Sequence, residues 1–190
     1  MKHLSFPEII GLLPSIEKGN GVALSPTGKK VKRKTYFTAA ITGTNDITSD
    51  GRLIESGTKK AIGRTNFDNG NMLNEGRSFL VTGVRLQFDT TDAVTLLSAT
   101  YKNEAPAPFK NGEIKITQEG SGDLFNNPIS AYTKNDYSLS EDVEFMPVIP
   151  FLIRPGVPFD IQVLTAGAAA AGMAVKVELD GFDFSDATKS

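Results

Sequence analysis

The sequence predicts an all-β fold, a jelly roll or β-sandwich of about eight strands behind an N-terminal arm with a short helix. The clearest evidence is a pair of runs, residues 159–164 and 173–180, in which apolar and polar residues alternate. A period of two is typical of a strand with one buried face. From residue 78 onward the chain carries seven or eight candidate strands, about ten to fifteen residues apart, and no convincing long helix.

The two alternating runs predict which side chains enter the core. The polar members of each run should face water or a neighbour, and a loop is expected over residues 165–172, where glycines bracket a short alanine run. The side chains predicted to point inward are Phe159, Ile161, Val163, Met173, Val175, Val177 and Leu179.

Residues 4–17 are typical of a short amphipathic helix with Ser5 as its N-cap. Gly11 and Pro14 are expected to shorten or break it. Its apolar side is large for a segment so near a terminus, so it should dock, either on its own subunit or on another. The residues that would anchor such an intersubunit arm are Phe6, Ile9, Ile10 and Leu13, with Leu12 and Ile16 beside them.

A basic run follows, with five positive charges in six residues. Such a run can neutralise the phosphates of nucleic acid or of anionic lipid head groups, and it can equally be a solvated linker. The net charge of −2 does not decide between these interpretations, because an overall balance can conceal a local patch. The candidate residues are Lys29, Lys30, Lys32, Arg33 and Lys34.

The remaining strands are predicted from β-branched and aromatic content between turn residues. Gly83 indicates a bulge or a close backbone approach, and Pro147 and Pro150 indicate an edge strand or a bent one. We expect an arm over residues 1–61 and the sandwich over residues 62–190. The further strands are expected at Tyr36–Ile41, Ser78–Phe88, Val94–Tyr101, Glu113–Gln118, Leu124–Tyr132 and Val143–Ile153.

Catalytic and cofactor sites are hard to build from this composition. The chain has no cysteine, and its one histidine is His3, so a catalytic triad and a polyhistidine metal site are not expected. No phosphate-binding glycine motif follows a strand. Pairs such as Glu141/Asp142 and Asp183/Asp186 are simpler to explain as solvated carboxylates than as glycosidase residues. The sequence therefore predicts neither an enzyme nor a cofactor.

A calcium loop is suggested by the oxygen spacing of Asp46–Gly51. The pattern then fails, because position 12 counted from Asp46 is Gly57, where an EF-hand needs a bidentate glutamate. A polar turn is the simpler interpretation, and no metal is expected.

Neither a secretory signal nor a membrane span is expected. Pro7, Glu8 and Pro14 interrupt the N-terminal apolar stretch. Residues 146–153 form the longest strongly apolar stretch, far short of the ~20 residues of a transmembrane helix.

Three groups of segments resemble the jelly-roll capsid proteins of tailless icosahedral bacteriophages, many of which enclose a membrane. They are residues 77–86, residues 111–118 with 124–132, and residues 153–164 with 175–181. The resemblance lies in the order and character of the strands over about residues 62–184. Double-jelly-roll members of that group are longer than this chain, so the resemblance implies a single jelly roll.

The resemblance implies a structural virion protein, made in the host cytoplasm, that acts as a major or a minor (vertex) capsid subunit. Its partners would be copies of itself and other capsid proteins, with no catalysis and no small-molecule substrate. The arm would contact neighbours and the shell interior, where the basic run could meet the viral genome or inner lipid.

The alternative is a receptor- or glycan-binding β-sandwich on a virion or cell surface. It would require sugar binding through tyrosines, since the chain has no tryptophan and four tyrosines. The candidates are Tyr101, Tyr132 and Tyr137.

Overall fold

The computed structural model describes residues 5–20, 28–44, 47, 49–91, 94–133, 145–167, 169 and 171–186, without the side chains of residues 6, 9 and 16–20. Two α-helices and one 3₁₀ turn, Ile129–Tyr132, accompany seven strands in these ranges. The elements are α1 Phe6–Asn20, β1 Lys29–Ile41, β2 Arg77–Asp89, α2 Ala107–Lys110, β3 Glu113–Gln118, β4 Gly122–Pro128, β5 Met146–Ile153, β6 Phe159–Leu164 and β7 Ala174–Asp186.

The strands form two antiparallel sheets. The larger has the order β1-β7-β2-β5 and the smaller the order β4-β3-β6. Residues 51–53 extend the smaller sheet beside β6, because Leu53 N–H donates to the Ile161 carbonyl and Val163 N–H to the Gly51 carbonyl, each at 2.9 Å. β1 and β5 are therefore the two edges of the larger sheet, and β4 is an edge of the smaller one.

One hydrophobic core lies between the sheets, so the predicted β-sandwich is confirmed. The inward residues predicted for β6, Phe159, Ile161 and Val163, are buried in it, and so are Val175, Val177 and Leu179 of β7. Met173 is partly buried against the same core. Alternation with a period of two thus identified the buried face of both strands correctly.

Four aromatic rings occupy the centre of the core. Tyr36 stacks on Phe67 with ring centroids 4.5 Å apart, and Phe79 meets Tyr36 edge-on at 4.8 Å. Phe67 also contacts Phe159 at 5.1 Å. Phe67 lies outside the named strands, so a loop side chain joins the rings of β1 and β6, which belong to different sheets.

A bulge interrupts β2 where Gly83 predicted it, because the register with both β5 and β7 shifts between Val81 and Gly83. On β7, Gly181 lies opposite Val81. A Cβ at Gly181 would collide with the Leu80 carbonyl oxygen and lie 3.0 Å from the Val81 Cα. Only glycine allows the two backbones to approach this closely.

The basic run is part of strand β1, which corrects its interpretation as a linker. β1 begins at Lys29, seven residues before the predicted start, and pairs with β7 without a break from Lys29 to Ile41. Tyr36, Leu53 and Ile54 lie in the same core as β6 and β7. Residues 29–61 therefore pack as part of the sandwich, which corrects the predicted boundary after residue 61.

The predicted N-terminal helix is present as α1, but Gly11 and Pro14 neither shorten nor break it. At its start the backbone N–H and the hydroxyl of Ser5 both donate to Glu8 Oε2 at 2.6 Å. This is half of a capping box, in which the third helical residue reaches back to the N-cap.

The strand predicted at Val94–Tyr101 is wrong. In the described residues, 94–101 form turns and irregular backbone, and the only ladder contact nearby is the bridge between Phe88 and Lys102. The strand predicted at Leu124–Tyr132 ends at Pro128, and the 3₁₀ turn begins at the next residue, Ile129.

Candidate interaction surfaces

Three of the five cations of the basic run are neutralised within the chain, by aspartates of β7. Lys29 Nζ lies 3.3 Å from Asp186, its direct cross-strand partner. Lys34 Nζ lies 3.7 Å from Asp183. Arg33 donates from two nitrogens to Asp180, at 2.8 and 3.2 Å, and this contact raises the pKa of Arg33. These pairs tie β1 to β7, so the run is in large part a structural feature.

Lys34 contacts both an aromatic ring and an aspartate within the chain. Its ammonium donates to the Tyr36 hydroxyl at 2.9 Å and lies 4.1 Å from the centre of that ring. The Tyr36 hydroxyl in turn donates to Asp183 at 3.4 Å. Burial lowers the pKa of Lys34 and raises that of Tyr36. The Lys34 ammonium is therefore held by contacts with Tyr36 and Asp183 within the chain.

Lys30 and Lys32 are the two cations that remain. Both are exposed, and within the described part of the chain neither forms an ion pair. Strand alternation places them on the face of β1 that also carries Lys34. Any contact of the run with phosphates would therefore depend mainly on these two lysines.

Helix α1 docks on its own subunit through Leu13. This side chain is 3% exposed and packs with Leu80, Leu152 and Phe184 on the outer face of the larger sheet. Ile10 and Leu12 are 39% and 38% exposed. Of the predicted arm anchors, Leu13 thus has an intramolecular contact and Ile10 is available to a neighbour, while the side chains of Phe6 and Ile9 lie outside the described residues.

A groove of about 380 Å³ opens between the edge strands β4 and β5. Aromatic and proline residues form half of its lining, and Phe125 of β4 stacks on Phe151 of β5 with ring centroids 5.6 Å apart. Ile149 of β5, which lines the groove, is 86% exposed. The only sequence features that pointed to this groove are Pro147 and Pro150, which indicated an edge strand or a bent one.

A second cavity, of about 390 Å³, lies at one end of the sandwich among Thr42, Thr44, Ser49 and Asp50. Asp50 pairs with Arg52 at 3.0 Å. Asp46 and Thr48 of the considered calcium loop lie outside the described residues. Within the described ranges no group of three His, Cys, Asp or Glu side chains could hold a metal ion.

A third cavity, of about 270 Å³, contains Asp89, Lys102 and Glu104. The buried Asp89 carboxylate accepts the backbone N–H of Thr91 at 2.9 Å and that of Thr100 at 2.6 Å. These hydrogen bonds, chiefly the one from Thr91, hold the pKa of Asp89 below its ordinary value. Asp89 is thus occupied in fixing the loop that follows β2.

The substitution Asp89→Asn should lower the free energy of unfolding by about 1 kcal/mol at pH 7, since the amide accepts these hydrogen bonds less strongly. Because the pKa of Asp89 is lower in the folded protein than in the unfolded chain, the ionised carboxylate stabilises the folded state at pH values above the unfolded pKa. This stabilisation is lost as the pH falls through the folded pKa. Urea unfolding should therefore show the difference between variant and wild type shrinking below about pH 4. A difference independent of pH would contradict this role.

The tyrosines named for glycan binding do not form an exposed stacking platform in the described residues. Tyr132 is half-buried and meets Phe125 edge-on at 5.2 Å. Tyr101 is also half-buried, and burial raises its pKa to about 12. Tyr137 lies outside the described residues.

In the described ranges, no helix is long and apolar enough to cross a membrane. Comparison with known proteins finds no family model and no curated protein that matches this sequence.

Proposed function

We propose that this protein is a capsid subunit, a structural virion protein with a single jelly roll that self-assembles into an icosahedral shell. The observation that carries the proposal is the order in which the strands pair. Its partners would be other copies of the chain and other capsid proteins, and its place would be the virion.

The pairing is nested when residues 51–53 are counted as the second of eight strands. β1 pairs with β7, residues 51–53 with β6, β2 with β5, and β3 with β4. The first strand thus pairs with the last and the second with the next to last, inward to the β3–β4 hairpin. A chain paired in this way is one long antiparallel ribbon.

Two further pairings join that ribbon into sheets. β7 also pairs with β2, and β3 also pairs with β6. The ribbon is therefore rolled around the core, and its successive strand pairs alternate between the two sheets. This supports a jelly roll over other sandwiches of two antiparallel sheets.

A jelly roll alone does not determine function, since lectins and cupins also use it. The capsid proposal adds the resemblance of the strand segments to phage capsid proteins. It also agrees with a terminal helix that docks through one leucine while exposing Ile10 and Leu12, as a segment shared between subunits would. Contact with genome or inner lipid would rest on Lys30 and Lys32.

Deleting residues 1–20 is expected to abolish shell assembly while the sandwich stays folded. The deletion removes α1, whose one side chain buried on the sheet among the described residues is Leu13, worth about 1.5–3 kcal/mol. Circular dichroism should show unchanged β structure, and sedimentation should show loss of the assembled fraction.

A deletion of residues 1–35 would be a poorer test, because it also removes the first half of β1 from its pairing with β7. The matched control is Leu13→Ala in the full chain, which weakens docking but keeps the arm. Normal shells from the 1–20 deletion would show that the arm has no part in assembly. A stable monomer with saturable sugar binding would instead support the glycan-binding alternative.

A further inference from the structure

The free edge of β1 is covered by a loop along only part of its length. Ala39 N–H donates to the Arg64 carbonyl at 2.7 Å, so the loop begins to act as a neighbouring strand there. Asn66 continues this cover, because its N–H donates to the Phe37 carbonyl at 3.3 Å and its Oδ1 accepts the Phe37 N–H at 2.7 Å. Its Nδ2 donates to the Thr35 carbonyl at 2.8 Å. Within the described residues, no hydrogen bond extends the cover from Thr35 to the start of β1.

Strand alternation identifies the backbone groups that the loop leaves unpaired. The N–H and C=O groups of Phe37 point away from β7, so those of every second residue before it do the same. In the part of the chain that the structure describes, the outward groups of Lys29, Val31 and Arg33 have no hydrogen-bond partner. Each of these residues can form two backbone hydrogen bonds with an added antiparallel strand. The first half of β1, residues 29–34, is therefore open to strand addition.

Side-chain charge restricts which strand can add to this edge. Lys30 and Lys32 are exposed, lie on one face of β1 and form no ion pair with the described residues. Relative to an added antiparallel strand they occupy the non-hydrogen-bonded positions, where opposite side chains lie closest. A strand of like charge, including β1 of a second copy, would be repelled. Acidic residues at alternate positions would pair with both lysines.

The opposite face of β1 sets a second requirement. Lys29 and Arg33 on that face are already paired with Asp186 and Asp180 of β7. Val31 lies between them and is partly buried against the cluster under helix α1. An added strand would therefore place an apolar residue beside Val31, between two acidic residues that point to the other face.

We propose that the first half of β1 binds an extended segment of a partner protein, in which acidic and apolar residues alternate, by antiparallel strand addition. The backbone groups of Lys29, Val31 and Arg33 supply the hydrogen bonds, and Lys30 and Lys32 select the acidic side chains. The inference goes beyond the proposed function, because it holds whether or not the chain builds a shell.

The test uses the full-length protein and a fluorescein-labelled, C-terminally amidated peptide of sequence Glu-Val-Glu-Val-Glu. Fluorescence anisotropy should show saturable binding, and NMR should follow amide hydrogen exchange for each residue. Binding should slow exchange at Val31 and Arg33, whose N–H groups face the added strand. Exchange at Lys32 should stay unchanged, because its N–H already faces β7.

Two N-methylated peptides separate backbone pairing from charge. Methylation of both valine nitrogens removes the N–H groups that would face β1 and should weaken binding at least about tenfold. Methylation of the second and third glutamate nitrogens removes N–H groups that would face solvent and should change the affinity by no more than about twofold. Neither measurement depends on a variant of the protein.

The double variant Lys30→Glu, Lys32→Glu tests the role of charge. It should bind the acidic peptide at least about tenfold more weakly, and the peptide Lys-Val-Lys-Val-Lys should restore the affinity. The matched control is Lys59→Glu with Lys110→Glu, which changes the net charge equally at exposed lysines outside β1 that form no ion pair with described residues. This control should bind like the wild type, and thermal unfolding should show that both double variants are folded.

Three results would overturn the proposal. The first is the absence of saturable peptide binding up to about 1 mM. The second is binding that valine methylation does not weaken, and the third is failure of the basic peptide to bind the charge-reversed variant. A single-stranded oligonucleotide that binds through Lys30 and Lys32, where the peptide does not, would identify a polyanion site and also contradict strand addition.

Discussion

Phe67→Ala is expected to lower the free energy of unfolding by about 3–5 kcal/mol, the range for removing a buried aromatic ring. Phe67 is fully buried, and its ring touches both Tyr36 and Phe159. The loop that carries it cannot close the space left by the ring, because Tyr36 and Phe159 are fixed by strands in different sheets. Urea unfolding of the dispersed subunit at a fixed concentration would measure the change.

The matched control is Ile62→Ala, five residues earlier in the same loop and 91% exposed. It should change the free energy of unfolding by no more than about 0.5 kcal/mol. Equal effects of the two substitutions would contradict the assignment of Phe67 to the centre of the core.

Gly181→Ala is expected to destabilise the protein by about 3 kcal/mol, at the upper end of the range for overpacking. The added methyl group would meet the backbone of Leu80 and Val81, which β2 cannot move without losing its pairing with β7. A flexible side chain could yield to such a contact, but the backbone of a central strand cannot. The same unfolding measurement applies.

Gly57→Ala is the control for this prediction, because a Cβ at Gly57 meets no atom within 4 Å. It should leave the stability unchanged or raise it slightly, since alanine reduces the entropy of the unfolded chain. If Gly181→Ala were tolerated equally well, the close approach of β2 and β7 at the bulge would be contradicted.

Local patterns in the sequence predicted most of the sandwich. β6 and β7 alternate cleanly because one face of each meets the core. The other face is half-buried on β6, and on β7 it carries charged residues such as Glu178 and Asp180, which are buried in ion pairs. Gly83 marked the bulge. Residues 94–101 were wrongly assigned to a strand because apolar content alone does not distinguish a strand from a covering loop. The predicted start of β1 was seven residues too late because charged residues fill most of its first half. Charged residues are nevertheless common on edge strands.

The interaction surfaces were less predictable because they depend on pairing between distant segments. The basic run has five charges in six residues, and three of these charges are paired with Asp180, Asp183 and Asp186 of β7. Nothing near Lys29 in the sequence indicates those partners.

The most direct test of the capsid proposal is sedimentation of the purified full-length protein at low and high salt, with electron microscopy of any fast fraction. The proposal predicts closed shells, or the discrete rings of a few copies from which such shells are built. It also predicts that assembly depends on salt only through contacts between exposed charges. A monomer at every concentration and salt level would contradict it.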